Sequence, residues 1–188
     1  MGVATIEVEK ITMVTEQDKV LEALRIAIDM ENDGKECYQQ ASQNSGNDVG
    51  RKLMQSLALE EETHRQKFVE IYHVMQKRKD WPATDFQPDR GKKVRSLFSQ
   101  TCEIIGVNVK AIATEFDAIN TAIDKEKKSY DFYERQSQNA TYDAERDFYE
   151  ALAGEEKEHE LILLDYYEYL TDPVDWFTRA EHHSLDGG

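Results

Sequence analysis

Along four long stretches of the chain, apolar residues recur every three or four positions, the spacing that lays one stripe down one face of an α-helix. The first stretch runs from about Thr15 to Asn44, and its stripe reads Leu24, Ile28, Glu31, then Gly34 or Lys35, then Tyr38. The second begins near Asp48 and ends before Trp81-Pro82, with Leu53, Leu57, Glu61, His64, Phe68, Ile71 and Met75 in line. The third, roughly Gly106 to Asn139, aligns Phe116, Ile119, Ile123, Glu126, Tyr130 and Tyr133. The fourth, roughly Tyr142 to Leu170, aligns Phe148, Leu152, Glu156, His159, Leu163, Tyr166 and Leu170. Proline disfavours helical backbone in the residue before it, so Pro82 and Pro173 mark the ends of the second and fourth helices. Trp81 to about Ile105 is predicted as a crossover with a short helix around Val94 to Cys102. Residues 171–188 are predicted as a tail carrying Trp176, Phe177 and the pair His182-His183.

The two halves of the chain repeat each other. Shifted by 95 residues, Ala27-Ile28-Asp29 falls on Ala122-Ile123-Asp124, Glu31 on Glu126, Tyr38 on Tyr133, and Ser42-Gln43-Asn44 on Ser137-Gln138-Asn139. Without a gap, Leu57-Ala58 falls on Leu152-Ala153, Glu60-Glu61 on Glu155-Glu156, and His64 on His159. These are more than a dozen identities in about 40 positions, against the two or three that chance supplies. One helical hairpin is written twice. Short connections near Ser45-Gly46-Asn47 and Ala140-Thr141 make the helices of each hairpin antiparallel neighbours. The crossover is long enough to run the length of a bundle, which sets the second and third helices parallel. The expected fold is all-α, a four-helix bundle of two repeated hairpins joined by a long crossover, plus a short C-terminal segment. It is expected as one domain over 1–188, with the bundle at about 15–170.

Each stripe is broken at mid-length by an acid, and two of them also by a histidine one turn later. An ionised carboxylate inside a bundle costs several kcal/mol unless it is paired, and four together repel one another as well. Protonation relieves part of that cost. Two divalent cations would neutralise all four acids and leave both imidazoles as neutral donors. Glu31, Glu61, His64, Glu126, Glu156 and His159 are therefore the candidate ligands of a dinuclear metal site, made two-fold by the repeat. The alternative is a hydrogen-bonded polar core without metal. The neighbouring acids Glu60, Glu62, Glu155, Glu158 and Glu160 read as solvated flanks of their helices. Tyr38, Tyr133 and Tyr130 lie one or two turns from the ligands. They either donate hydrogen bonds to the site and scavenge stray oxidising equivalents, or simply fill the bundle.

Composition narrows the partners. The 188 residues carry 23 lysines and arginines against 38 aspartates and glutamates, a formal charge of -15. That balance argues against nucleic acid or an anionic membrane as a partner, because both attract basic patches. No apolar run is long enough for a membrane-spanning helix and no apolar leader is visible at the N-terminus, so the cytoplasm is the expected compartment. Cys37 and Cys102 form no CxxC pair, which leaves no thiolate zinc site and no rubredoxin-type iron site; both read as half-buried small hydrophobes. Neighbours in a helix do not share a face, so His182-His183 reads as solvated rather than as an accessory metal site. Trp176 and Phe177 read as an apolar patch that folds back on the bundle or onto a partner subunit, and a homodimer is expected.

The segments AIDMENDGKECY, LEEETH, AIDKEKKSYDFY and GEEKEH together resemble the ferritin-like di-iron carboxylate superfamily, and within it the rubrerythrin-like proteins. The resemblance covers about Thr15 to Leu170 and implies a ferritin-like bundle. It implies that Glu61 and Glu156 bridge two irons, that Glu31 and Glu126 are terminal ligands, and that His64 and His159 cap one metal each. It also implies iron that cycles between ferrous and ferric states while reducing dioxygen or peroxide. Two features depart from typical rubrerythrins. An additional carboxylate usually stands one turn after the third-helix glutamate, where this chain has Ser129, with Gly34 as its repeat mate. A rubredoxin domain with four cysteines is absent from the sequence, so electrons would come from a separate donor, such as a rubredoxin-like protein, or from ferrous iron itself.

Three functions follow as expectations. The first is a di-iron oxidoreductase that reduces peroxide or dioxygen, its oxygen-rich ligation with two imidazoles suiting two iron ions and leaving manganese or a mixed pair open. The second is a ferroxidase that handles iron, with ferrous iron as substrate drawn to an acidic surface. The third, of another class, is a non-catalytic metal-binding helical interaction module.

Overall fold

Thr15 opens the first helix with a reciprocal cap: its hydroxyl accepts the Asp18 amide at 3.1 Å while the Asp18 carboxylate accepts the Thr15 amide at 2.9 Å. Such a box satisfies donors that the first turn leaves without partners. The computed structural model describes residues 15–78, 80–84 and 86–185, with side chains as far as Arg179. The side chains of His182 and His183 lie outside the described residues. Six α-helices follow in order: α1 (Glu16–Asn44), α2 (Asp48–Lys77), α3 (Lys92–Ile105), α4 (Ala113–Asn139), α5 (Asp143–Thr171) and α6 (Pro173–Leu185). No strand occurs among the described residues.

α1 packs along α2 and α4 along α5, so the repeated hairpins predicted from the sequence are both formed. The hairpins meet mainly through α1 and α4, where Tyr38 lies against Glu126 and Tyr133 against Glu31. Those pairings run in opposite directions along the two helices, so α1 and α4 are antiparallel and α2 and α4 are parallel, as the long crossover requires. α2 and α5 touch each other little directly, and α3 lies against α2. Phe98 of α3 sets its ring edge-on to Tyr166 and Tyr169 of α5, and Arg95 pairs with Glu158 at 3.1 Å. The crossover thus roofs the seam between the second and fifth helices.

The core is divided along the bundle. One apolar cluster holds Leu53, Leu57, Ile119, Ile123, Leu163 and Tyr166; the other holds Leu24, Phe68, Ile71, Tyr133, Phe148 and Leu152. In every long helix the interrupting acid stands between a residue of one cluster and a residue of the other. A layer of buried charge therefore separates two dry ends.

Boundaries shift from the sequence reading in three places. The crossover helix extends over Lys92–Ile105, longer than Val94 to Cys102. α4 starts at Ala113 rather than at Gly106, because Gly106 at φ 66° ends α3 after Ile105, a 3-10 turn over Gly106–Asn108 follows, and the backbone is extended at Val109. The tail is helical: α5 stops at Thr171, and Pro173 starts α6 at the position where a missing amide costs nothing. Trp176 turns back onto its own bundle, donating to Asp165 at 2.6 Å and packing on Phe98 and Tyr169. Cys102 is buried and Cys37 half-buried, both unpaired.

Gly50, in the first turn of α2, leaves room for the Tyr166 hydroxyl and Ser45 Oγ, both of which an added Cβ would strike. Gly50→Ala is expected to cost about 1–3 kcal/mol of stability, read as a lower denaturant midpoint, with metal content per folded chain unchanged.

Candidate metal centre

Glu61 and His64 on α2, and Glu156 and His159 on α5, sit three residues apart, so each pair projects from one face of its helix. Glu31 on α1 and Glu126 on α4 face them across the interior. All six residues are at most 3% exposed. Two groups form: Glu31, Glu61, His64 and Glu156, and Glu61, Glu126, Glu156 and His159. One nitrogen or oxygen from each member of a group lies within 4.8 Å of those of the others, close enough to hold a metal ion. Glu61 and Glu156 belong to both groups, the placement a bridging carboxylate needs. The rings of His64 and His159 stack nearly parallel, 5.9 Å apart and inclined by 14°.

Hydrogen bonding decides which atoms are free. The Tyr133 hydroxyl donates to Glu31 Oε1 and the Tyr38 hydroxyl to Glu126 Oε1, so both tyrosines serve the site rather than merely filling space. Tyr130, expected with them, lines a surface groove beside Glu134 and Lys157. Glu31 Oε2, Glu61 Oε1, His64 Nδ1, Glu126 Oε2, Glu156 Oε1 and His159 Nδ1 are buried without a hydrogen-bond partner. That is one orphaned donor atom from each of the six side chains. His64 Nδ1 lies 3.4 Å from Glu31 Oε2 and 3.5 Å from Glu156 Oε1; His159 Nδ1 lies 3.2 Å from Glu61 Oε1 and 3.7 Å from Glu126 and Glu156. Native interiors rarely leave such groups unsatisfied. Four carboxylate oxygens and two imidazole nitrogens aimed at two shared points fit a pair of divalent cations.

Without cations the charges rearrange by proton uptake. Burial, then the fields of the other carboxylates, raises Glu61 well above the usual carboxylate range and Glu156 to about 8. Burial alone would lower both histidines, but the acids around them win and raise both well above 6.5. Burial also opposes ionisation of Glu126, yet its contacts with His159, Glu156 and Tyr38 leave it below its ordinary value. Burial and the neighbouring carboxylates push Tyr38 and Tyr133 well above 10, which keeps both hydroxyls as donors.

A family model described as Rubrerythrin matches residues 22–167. The chain belongs to the rubrerythrin family. Comparisons with curated proteins and with solved structures returned no significant match. Rubrerythrins typically bind iron, and the buried acid–histidine groups of this chain could hold a metal ion. No helix among the described residues is long and apolar enough to cross a membrane.

In this rubrerythrin-family chain, a surface pocket of about 370 Å³ between α1 and α4 reaches the centre, with Gly34, Glu61, Glu126 and Ser129 in its wall. A Cβ at Gly34 would stand 3.1 Å from Glu61 Oε2. The two positions without the additional carboxylate thus border the opening beside a shared glutamate.

The flanking acids do not all behave as read from the sequence. Glu62 and Glu158 are half-exposed and paired with basic residues, as expected. Glu155 and Glu160 are instead buried, and Glu60 is half-buried. Glu155 lies beneath the crossover, accepting the Arg90 amide at 2.5 Å and the Gly91 amide at 3.4 Å. Glu160 is covered by Lys157 at 2.6 Å and Lys127 at 3.9 Å. A heptad stripe identifies one packed face and is blind to a segment that covers the other.

Glu61, Glu156, His64 and His159 all hold protons more tightly in the fold than in the unfolded chain. Their stabilising contribution is present at low pH and disappears as pH rises through their folded values. The metal-free protein is therefore expected to melt at a lower temperature at about pH 9 than at about pH 6. Glu126, shifted the other way, contributes only above its own range. Thermal melts in chelator check this, and a melting temperature that rises over that interval would contradict the proton occupancy.

Proposed function

We propose that the chain is a di-iron carboxylate redox protein that reduces a small oxidant, hydrogen peroxide or dioxygen, with electrons from a separate donor protein. Glu31, Glu61, His64, Glu126, Glu156 and His159 would hold the metals, with Glu61 and Glu156 common to both groups. The observation that carries this reading is the set of six orphaned donor atoms, one per side chain, gathered in two groups with two members in common. Membership of the rubrerythrin family supports iron as the metal.

A bound iron pair would supply redox chemistry and polarise a small oxidant. The chain's own groups set the conditions. Tyr133 and Tyr38 occupy one oxygen of Glu31 and of Glu126, leaving the other oxygen of each for metal. Their hydroxyls also hold protons at the edge of the centre, where reduction of peroxide to water consumes protons. The apolar clusters on either side exclude bulk water. Gly34 and Ser129 leave the approach between α1 and α4 uncluttered for a small molecule.

Anaerobic loading with ferrous iron, followed by peroxide or air, tests the proposal. About two irons per chain are expected, with ferric absorption developing on addition of oxidant and repeated turnover when a reductant is supplied. Glu61→Ala or Glu156→Ala is expected to abolish the paired site, whereas Glu62→Ala leaves iron content unchanged. Equal loss from Glu61→Ala and Glu62→Ala, or no iron uptake at all, would overturn the reading. Gly34→Ala is expected to slow oxidation of the loaded protein by about tenfold at unchanged iron content, measured by stopped-flow absorbance.

A further inference from the structure

The ligands obey the repeat, but the residues behind them do not. Glu60 and Glu155 are repeat mates, each next to a shared glutamate. Glu60 Oε2 lies 2.9 Å from His159 Nε2. With His159 Nδ1 turned to the centre, the Nε2 proton stays on the ring and is donated to the Glu60 carboxylate. Glu60, Glu155 and His159 also come close together. Because that nitrogen keeps its proton, they form a layer outside the centre rather than a third cation site.

Glu155 has been diverted. Arg90 and Gly91 adopt φ 56° and 64°, a left-handed turn that presents two successive amides to one site. Glu155 fills it, one oxygen on each amide. This interaction offsets the steric cost of a left-handed arginine and pins the crossover over α5. His64, the repeat mate of His159, consequently has no carboxylate among the described residues hydrogen-bonded behind it, although Glu60, Asp89 and Glu155 line the same small cavity. Among the described residues no group is hydrogen-bonded to its Nε2. Its ring instead meets the edge of Phe86 at 5.8 Å and lines a cavity of about 130 Å³ beneath the crossover.

An anionic acceptor on the outer nitrogen fixes the ring's orientation and strengthens the inner nitrogen as a donor. We propose that Glu60 is a positioning residue for His159, and that diversion of its repeat mate Glu155 makes the two metal positions unequal, the His159 side binding more tightly than the His64 side. This inference rests on the reading of the centre as a di-iron site and adds an order of filling that the six ligands alone, being symmetric, do not specify.

Mössbauer spectra of full-length protein given one and then two equivalents of ferrous iron test it. At one equivalent the wild type is expected to show one dominant quadrupole doublet, with the second filling afterwards. Glu60→Gln keeps the shape and removes the charge. It is expected to weaken the preferred position by about 10–100-fold, so that both doublets fill together, with total uptake and the far-ultraviolet circular dichroism spectrum unchanged. Glu155→Gln is expected to lower the melting temperature by loosening the crossover while retaining or widening the preference. Equal filling in the wild type, an unchanged preference in Glu60→Gln, or loss of preference in Glu155→Gln overturns the inference while leaving a two-iron site standing. Failure to bind iron overturns it together with the functional reading beneath it.

Discussion

Four carboxylates and two imidazoles share the buried middle of the bundle, and the rest of the molecule is arranged around that fact. Each long helix carries its acid between two apolar segments, so the acids of four helices form a single layer when the apolar ends pack. The layer is unstable as bare charge: ionised groups at this burial cost several kcal/mol each without partners. Part of that cost is met inside the chain, by tyrosines bonded to Glu31 and Glu126 and by protons retained on Glu61, Glu156 and the histidines. What remains is a set of six donor atoms with nothing to bind. Proton retention and cation binding are competing solutions to the same electrostatic problem, so the site is expected to exchange protons for metal.

The fold and the six converging side chains were legible because two independent periodicities agree. The helical stripe locates the interior, and the 95-residue repeat shows that the same interruptions occur twice in the same phase. Glu31 and Glu126 illustrate the point: neither belongs to a Glu-x-x-His pair, yet each stands where an apolar residue should. The tyrosine contacts were half legible. Tyr38 and Tyr133 share a repeat position and each reaches a buried glutamate of the layer, whereas Tyr130, with no tyrosine at its mate Lys35, lines a surface groove.

Glu155 and Glu160 were misread for a physical reason. Whether an acid on a helix flank meets water depends on what crosses over it, and the crossover has no internal repeat from which its path can be inferred. Glu155 is buried by a turn at Arg90-Gly91 that only the folded chain brings near. The C-terminal helix shows the same limit. Pro173 was legible as the end of one helix, but its suitability as the first residue of the next depended on Trp176 finding Asp165 and Phe98. These non-repeating segments also make the surroundings of the six side chains unequal, by roofing the seam between α2 and α5 beside His64.

Diffraction from crystals of the iron-loaded protein, with anomalous maps recorded at the iron edge, addresses the central electrostatic claim most directly. The expected result is two peaks, one inside each four-residue group, with Glu61 and Glu156 contacting both. Peaks elsewhere, or a loaded crystal whose six side chains remain turned to one another with no metal between them, would contradict it.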